Sequence, residues 1–190
     1  MKYLLSCFGI LLLLSCNQSN SEPLKELALL SESERIVENE KDYTYYYDSI
    51  SRDDYQIKLG VLELSNDEFE LVISMKLFRE SHYISPNAKR DFKGKFFVEF
   101  DDSEDLSFLA DMEEIPLSVE EFDEDPFVDG YVNWVRKATR YVLKVKRNKT
   151  DDFGISGNLQ FVIEPRCTLE KIPLIIVNQG GYLKFHVRGC

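Results

Sequence analysis

The sequence is poor in the residues that punctuate, cross-link or metallate a chain. Nine glycines, six prolines and four cysteines in 190 residues exclude a Gly/Pro-rich linker protein and a disulfide-dense mini-domain. The only histidines, His82 and His186, are far apart and carry no pattern of neighbouring ligands. A zinc centre is therefore not expected. There is no glycine-rich phosphate loop and no Gly-x-Ser-x-Gly elbow, and no cofactor signature of any other kind. Basic residues are outnumbered, 23 against 34 acidic, for a net charge of −11. Such a chain repels nucleic acid phosphates, so nucleic acid is excluded as a partner. The acidity otherwise speaks to solubility. No apolar run reaches the roughly 20 residues needed to cross a bilayer as a helix.

What the chain does have begins at its first residues, MKYLLSCFGILLLLSC. Lys2 gives a positive start and 4–14 form a short apolar core, as in a secretory signal. The ending Leu13-Leu14-Ser15-Cys16 resembles the bacterial lipobox, which implies cleavage before Cys16 and lipidation of that cysteine. The open alternative is an ordinary secretory signal cut elsewhere. One acyl chain holds a protein to a membrane only marginally, so a stable anchor needs several. The polar stretch NQSNSE after Cys16 reads as a tether. Asn17 is not the aspartate of the best-known inner-membrane retention rule, so the expected location is the bacterial cell envelope, on the outer membrane. Residues 23–40 carry Leu24, Leu27 and Ala28 at helical spacing, and read as a short helix or a linker.

From Tyr43 onward the period changes from that of a helix to two. The clearest run is FELVISMKLF, 69–78, in which Phe69, Leu71, Ile73, Met75 and Leu77 share one face of a pleated strand. Its partner is expected at 56–64, across the polar trio Ser65-Asn66-Asp67. Further strands are expected at 95–100, 131–135, 140–146, 159–164, 172–177 and 182–187. Asn178-Gln179-Gly180-Gly181 reads as a tight hairpin before the last of them. Short strands separated by turn signals, with no strand–helix alternation, predict an all-β fold over 43–190, an immunoglobulin-like antiparallel β-sandwich. The acidic runs 101–105 and 120–125 lack the spacing and glycine of a calcium loop and read as solvated loops.

Cys7 leaves with the signal and Cys16 takes lipid, so Cys167 and Cys190 are the remaining thiols. If the last three strands form a meander, these two cysteines lie at the same end of the sheet. Two strand spacings come to about 9.5 Å, beyond the roughly 7 Å Cα limit of a disulfide, but loose chain ends could close the gap. The bridge would enclose 168–189 and contribute about 3 kcal/mol. The other reading is a free, reactive Cys167 with Cys190 separate.

Several stretches between about Phe69 and Val187 resemble the periplasmic N-terminal domain of the thiol:disulfide interchange reductase DsbD, itself an immunoglobulin-like sandwich with stand-alone lipoprotein relatives. FELVISMKLFRESHYIS is similar to an early strand followed by a "WHLYS"-type segment, matched at His82 and Ser85 and not at Ser81 or Ile84. EEFDEDPFVDGYVNWVRKATRYVLKVK is similar to an acidic, Phe-containing loop and the two strands after it. GNLQFVIEPRCTLEKIPL is similar to the active-site hairpin. That family carries two cysteines there; this chain keeps the second, Cys167, and has Glu164 or Pro165 near the place of the first. The resemblance implies a reactive Cys167 and a cap-like Phe127 in the loop 123–130. Phe127 read alone is an ordinary core or rim aromatic. A two-electron relay also needs a resolving thiol, a role open to Cys190. Two functions follow. The first is a lipid-anchored thiol-disulfide exchange protein, or docking protein for periplasmic thioredoxin-like partners. The second is a redox-inactive binding or envelope-structural module.

Overall fold

The computed structural model describes residues 44–65, 67–126 and 128–189, all within the unit Tyr43–Cys190. The signal, Cys16, the tether and the helix expected at 23–40 lie outside the described residues, as do Phe127 and Cys190.

The described residues form thirteen strands. They are β1 (Tyr45–Ser51), β2 (Tyr55–Glu63), β3 (Glu68–Leu77), β4 (Tyr83–Ile84), β5 (Phe97–Phe100), β6 (Leu106–Phe108) and β7 (Glu113–Ile115), then β8 (Glu120–Asp123), β9 (Gly130–Val135), β10 (Thr139–Arg147), β11 (Phe153–Ile163), β12 (Thr168–Gln179) and β13 (Tyr182–Val187). One sheet runs β1-β2-β3-β10-β6, with β7 also on β10; a second runs β13-β12-β11-β5; a small third runs β4-β9-β8. All the strand pairings are antiparallel. The domain is an immunoglobulin-like β-sandwich.

Period-two patterning builds the core directly. Ile57, Leu59, Leu71, Ile73 and Met75 of the first sheet and Leu159, Phe161, Ile163, Leu174 and Ile176 of the second are fully buried, alternate residues of strands that face each other. Aromatic rings join the layers. Tyr55 meets Phe161 edge-on at 5.2 Å and Phe96 stacks on Tyr141 at 4.0 Å.

The expected strands are present, with three corrections. The strand expected at 159–164 starts at Phe153, because Gly154 and Gly157 sit inside β11 rather than before it. A side chain at Gly157 would strike the Phe100 ring and the Glu99 carbonyl of β5, so glycine there lets the edge strand approach. The strand expected at 172–177 spans 168–179 and carries Pro173 in its interior. The Pro173 carbonyl accepts a hydrogen bond from Arg188 N at 2.9 Å. Its missing N–H therefore faces the side where β13 has just ended, and the ladder to β11 is intact. The acidic run 120–125 is not all loop, since its first four residues are β8.

The β12–β13 hairpin is as expected. Gln179 pairs with Tyr182, leaving Gly180 and Gly181 at φ 57° and 84°, the doubly left-handed turn that favours glycine at both positions.

Candidate functional site

The β11–β12 hairpin closes with Ile163 opposite Thr168, so Glu164-Pro165-Arg166-Cys167 is its tip. Cys167 is exposed and has φ 50°, a left-handed conformation costing an L-residue roughly 1 kcal/mol or more. Its backbone N–H donates to Glu164 Oε2 at 3.1 Å, which holds the turn.

Backbone pairing brings distant segments to this tip. His82 N donates to the Glu164 carbonyl at 3.1 Å, and Glu164 N donates to the His82 carbonyl at 2.8 Å. β4, immediately after His82, pairs with β9, and β9 pairs with β8. The small sheet is thereby tied to the end of β11. Alternation along β8 and β9 then places Glu121, Asp123, Val132 and Trp134 on one face. Trp134 Nε1–H donates to Asp123 Oδ2 at 2.7 Å, and His82 meets the Trp134 ring edge-on at 4.7 Å.

These segments enclose a cleft of about 470 Å³ lined by His82, Asp123, Asp125, Trp134, Glu164 and Cys167, with Val128 and Pro165 at its border. Asp123 accepts a hydrogen bond from the Asp125 backbone N–H at 2.9 Å as well as from the indole. Those two donors, the backbone one first, hold its carboxyl below the ordinary carboxylate range. A second cleft, of about 320 Å³, is also lined by Trp134, with Glu114, Leu117, Val119, Glu121 and Arg136.

Arg166, beside Cys167 in sequence, is turned away. Its guanidinium pairs with Asp54 and with Glu170, and Glu170 also accepts from the Tyr55 hydroxyl at 2.8 Å. Burial first, and the Glu170 hydrogen bond second, push the Tyr55 hydroxyl far above the usual tyrosine range. Arg166 thus anchors the hairpin tip to the sandwich. Asp123, Asp125 and Glu164 supply the carboxylates on the cleft wall.

Of the residues predicted from sequence, Cys167 lies in this cleft, and His82 joins it. Ser85 does not. It is buried and donates to Glu114 Oε2 at 2.5 Å. Phe127 is outside the described residues, but Asp125 and Val128 on either side of it line or border the Cys167 cleft. Cys190 is also outside them. The β12–β13 register places Arg188 beside Pro173, six residues along β12 from Cys167, or about 20 Å at 3.4 Å per residue. The residues missed from sequence are Trp134 and Asp123. Trp134 is the single tryptophan of the chain and sits in a strand that alternates. Its being the single tryptophan, nine residues past the acidic run 120–125, is the signal the sequence offers. Among the described residues, no group of three or more His, Cys, Asp or Glu side chains could hold a metal.

No family model matches the chain, and no curated protein matches it. Among solved structures, the GAE domain of GGA2p from Saccharomyces cerevisiae aligns at TM-score 0.40 with 6% identity, covering 72% of this chain and 98% of that one. The GAE domain of yeast GGA1 aligns at TM-score 0.37 with 9% identity, covering 68% and 95%. The sandwich is defined by its own two sheets, and neither likeness bears on what the domain does.

Proposed function

We propose that this is a lipid-anchored protein of the bacterial cell envelope, related to the N-terminal domain of DsbD, whose sandwich docks a periplasmic thioredoxin-like partner at the Cys167 cleft. One observation carries the reading. The three sequence stretches that resemble the reductase domain, around His82, around 120–135 and around Cys167, are distant in the chain and converge on one cleft. A second fact supports it. Cys167 is exposed and held left-handed, so neither packing nor backbone preference accounts for a cysteine there.

The chemistry available to one thiol is a single exchange. The Cys167 thiol loses its proton to solvent, and the thiolate attacks a disulfide of the partner. A sulfur–sulfur bond to Cys167 forms as the partner's bond breaks, and the second partner sulfur leaves as a thiolate with the electron pair. The number of disulfides is unchanged. Release needs another thiol, from the partner or from Cys190.

The experiment is trapping. The full chain is incubated with a periplasmic thioredoxin-like protein whose resolving cysteine is replaced by serine and whose remaining cysteine is held as a mixed disulfide with thionitrobenzoate, which leaves as the thiolate when Cys167 attacks. A reductant-sensitive adduct is expected, lost in Cys167→Ser. No adduct with the wild type would overturn thiol exchange. That outcome would leave the second reading, a binding module without redox chemistry, which is favoured by the lack of a second sulfur in the cleft among the described residues. Incorporation of labelled palmitate, lost in Cys16→Ala, tests the anchor separately.

A further inference from the structure

Trp134 lines both clefts. The two cavities, about 470 and 320 Å³, therefore share a wall residue. Their ends differ in character. At the Cys167 end the wall carries the carboxylates of Asp123, Asp125 and Glu164, while Arg166 is occupied elsewhere. At the other end Pro116, Leu117 and Val119 lie with the Arg136–Glu121 ion pair and Lys137, Leu117 being 66% and Val119 81% exposed. These open aliphatic side chains beside the cavity are available to an apolar group of a partner.

We infer that the two clefts form one recognition groove for an extended segment of a partner protein, with a basic residue at the Cys167 end and an aliphatic residue against Leu117 and Val119. The inference rests on the docking reading given above and names the chemistry of the docked segment. Charge selects this occupant. A second copy of the chain would bring net charge −11 against an acidic wall, whereas lysine or arginine is complementary to it. The Trp134 ring, with Arg136 already over it at 5.6 Å and His82 on its edge, lines both pockets and reports on occupancy of either. Extended peptides are read by alternate side chains in pockets, and two pockets of unlike character fit that mode.

The single tryptophan provides a readout independent of thiol chemistry. The full chain is titrated with a synthetic extended peptide of about ten residues. It carries two lysines near one end, a leucine near the other and serine in place of cysteine, and Trp134 emission is followed. Saturable binding is expected, at least tenfold tighter than for the same peptide with glutamate in place of lysine. The Leu117→Asp/Val119→Asp variant changes only exposed positions. It is expected to lose at least tenfold in affinity while its thermal unfolding stays unchanged. Equal affinity for the lysine and glutamate peptides, an undiminished affinity in the variant, or no emission change at all overturns the groove. None of these outcomes depends on the mixed disulfide. A trapped Cys167 adduct with no groove selectivity sinks this inference alone, and peptide binding without an adduct sinks only the thiol chemistry.

Discussion

Trp134 and Asp123 are joined by a 2.7 Å hydrogen bond from the indole N–H to the carboxylate, and this bond fixes the wall of the Cys167 cleft. Asp123 is the last residue of β8 and Trp134 lies on β9, so the contact clips the base of the acidic loop between them. Asp123→Ala removes the acceptor of both the indole and the Asp125 amide. A loss of about 1–3 kcal/mol is expected from a hydrogen bond to a charged group, read by urea unfolding. Asp123→Asn keeps one acceptor oxygen and is expected to lose less.

The same pair gives a pH dependence. The Asp123 carboxyl is held below its ordinary value by hydrogen bonds that the unfolded chain lacks. Its contribution is present above the ordinary aspartate range and is lost as pH falls through the lowered folded value. Trp134 emission is expected to be flat near neutrality and to change only below the usual carboxylate range. The change should be absent in Asp123→Asn.

Tyr83 and Tyr141 share a buried hydroxyl–hydroxyl hydrogen bond of 2.9 Å. Burial, first of all, drives both hydroxyls far above the ordinary tyrosine range, so the pair stays neutral throughout the accessible pH span. Tyr83→Phe alone strands the Tyr141 hydroxyl and should cost about 1–3 kcal/mol. Adding Tyr141→Phe should cost little more, because no unpaired donor remains. A double-mutant cycle by chemical denaturation checks this. Additive losses would refute the pairing.

Gly157→Ala pushes a methyl group into Phe100 and the Glu99 carbonyl at 2.5 Å. The backbone cannot yield cheaply, so about 1–3 kcal/mol of destabilisation is expected. Loss of amide protection should be concentrated in β5, measured by hydrogen exchange.

Alkylation before and after mild reduction, read by mass spectrometry, is expected to find Cys167 free in the native chain. Cys167→Ser should change stability by no more than about 0.5 kcal/mol, as for other exposed substitutions. A reduction-resistant 167–190 disulfide would refute the free thiol and favour the structural staple.

The sandwich was legible because its inward and outward residues alternate. Phe69, Leu71, Ile73 and Met75 announce a half-buried strand, and the Gly180-Gly181 pair announces a two-residue turn. The short strands β4, β6, β7 and β8 were not legible. At two to four residues they are shorter than a detectable period, and neighbouring strands rather than local propensity make them strands.

The same division holds for function. Sequence alone determined the export-like beginning, the acidic surface, the β period and a solitary thiol in the hairpin EPRC, because these are properties of composition and of local spacing. Only tertiary structure decided that His82, Asp123, Trp134 and Cys167 share one cleft, that Arg166 turns away from the thiol, and that Arg188 ends beside Pro173. Each depends on which strands pair and in what register. Register is set by burying whole faces against each other, a property of the assembled core that no short stretch of chain contains.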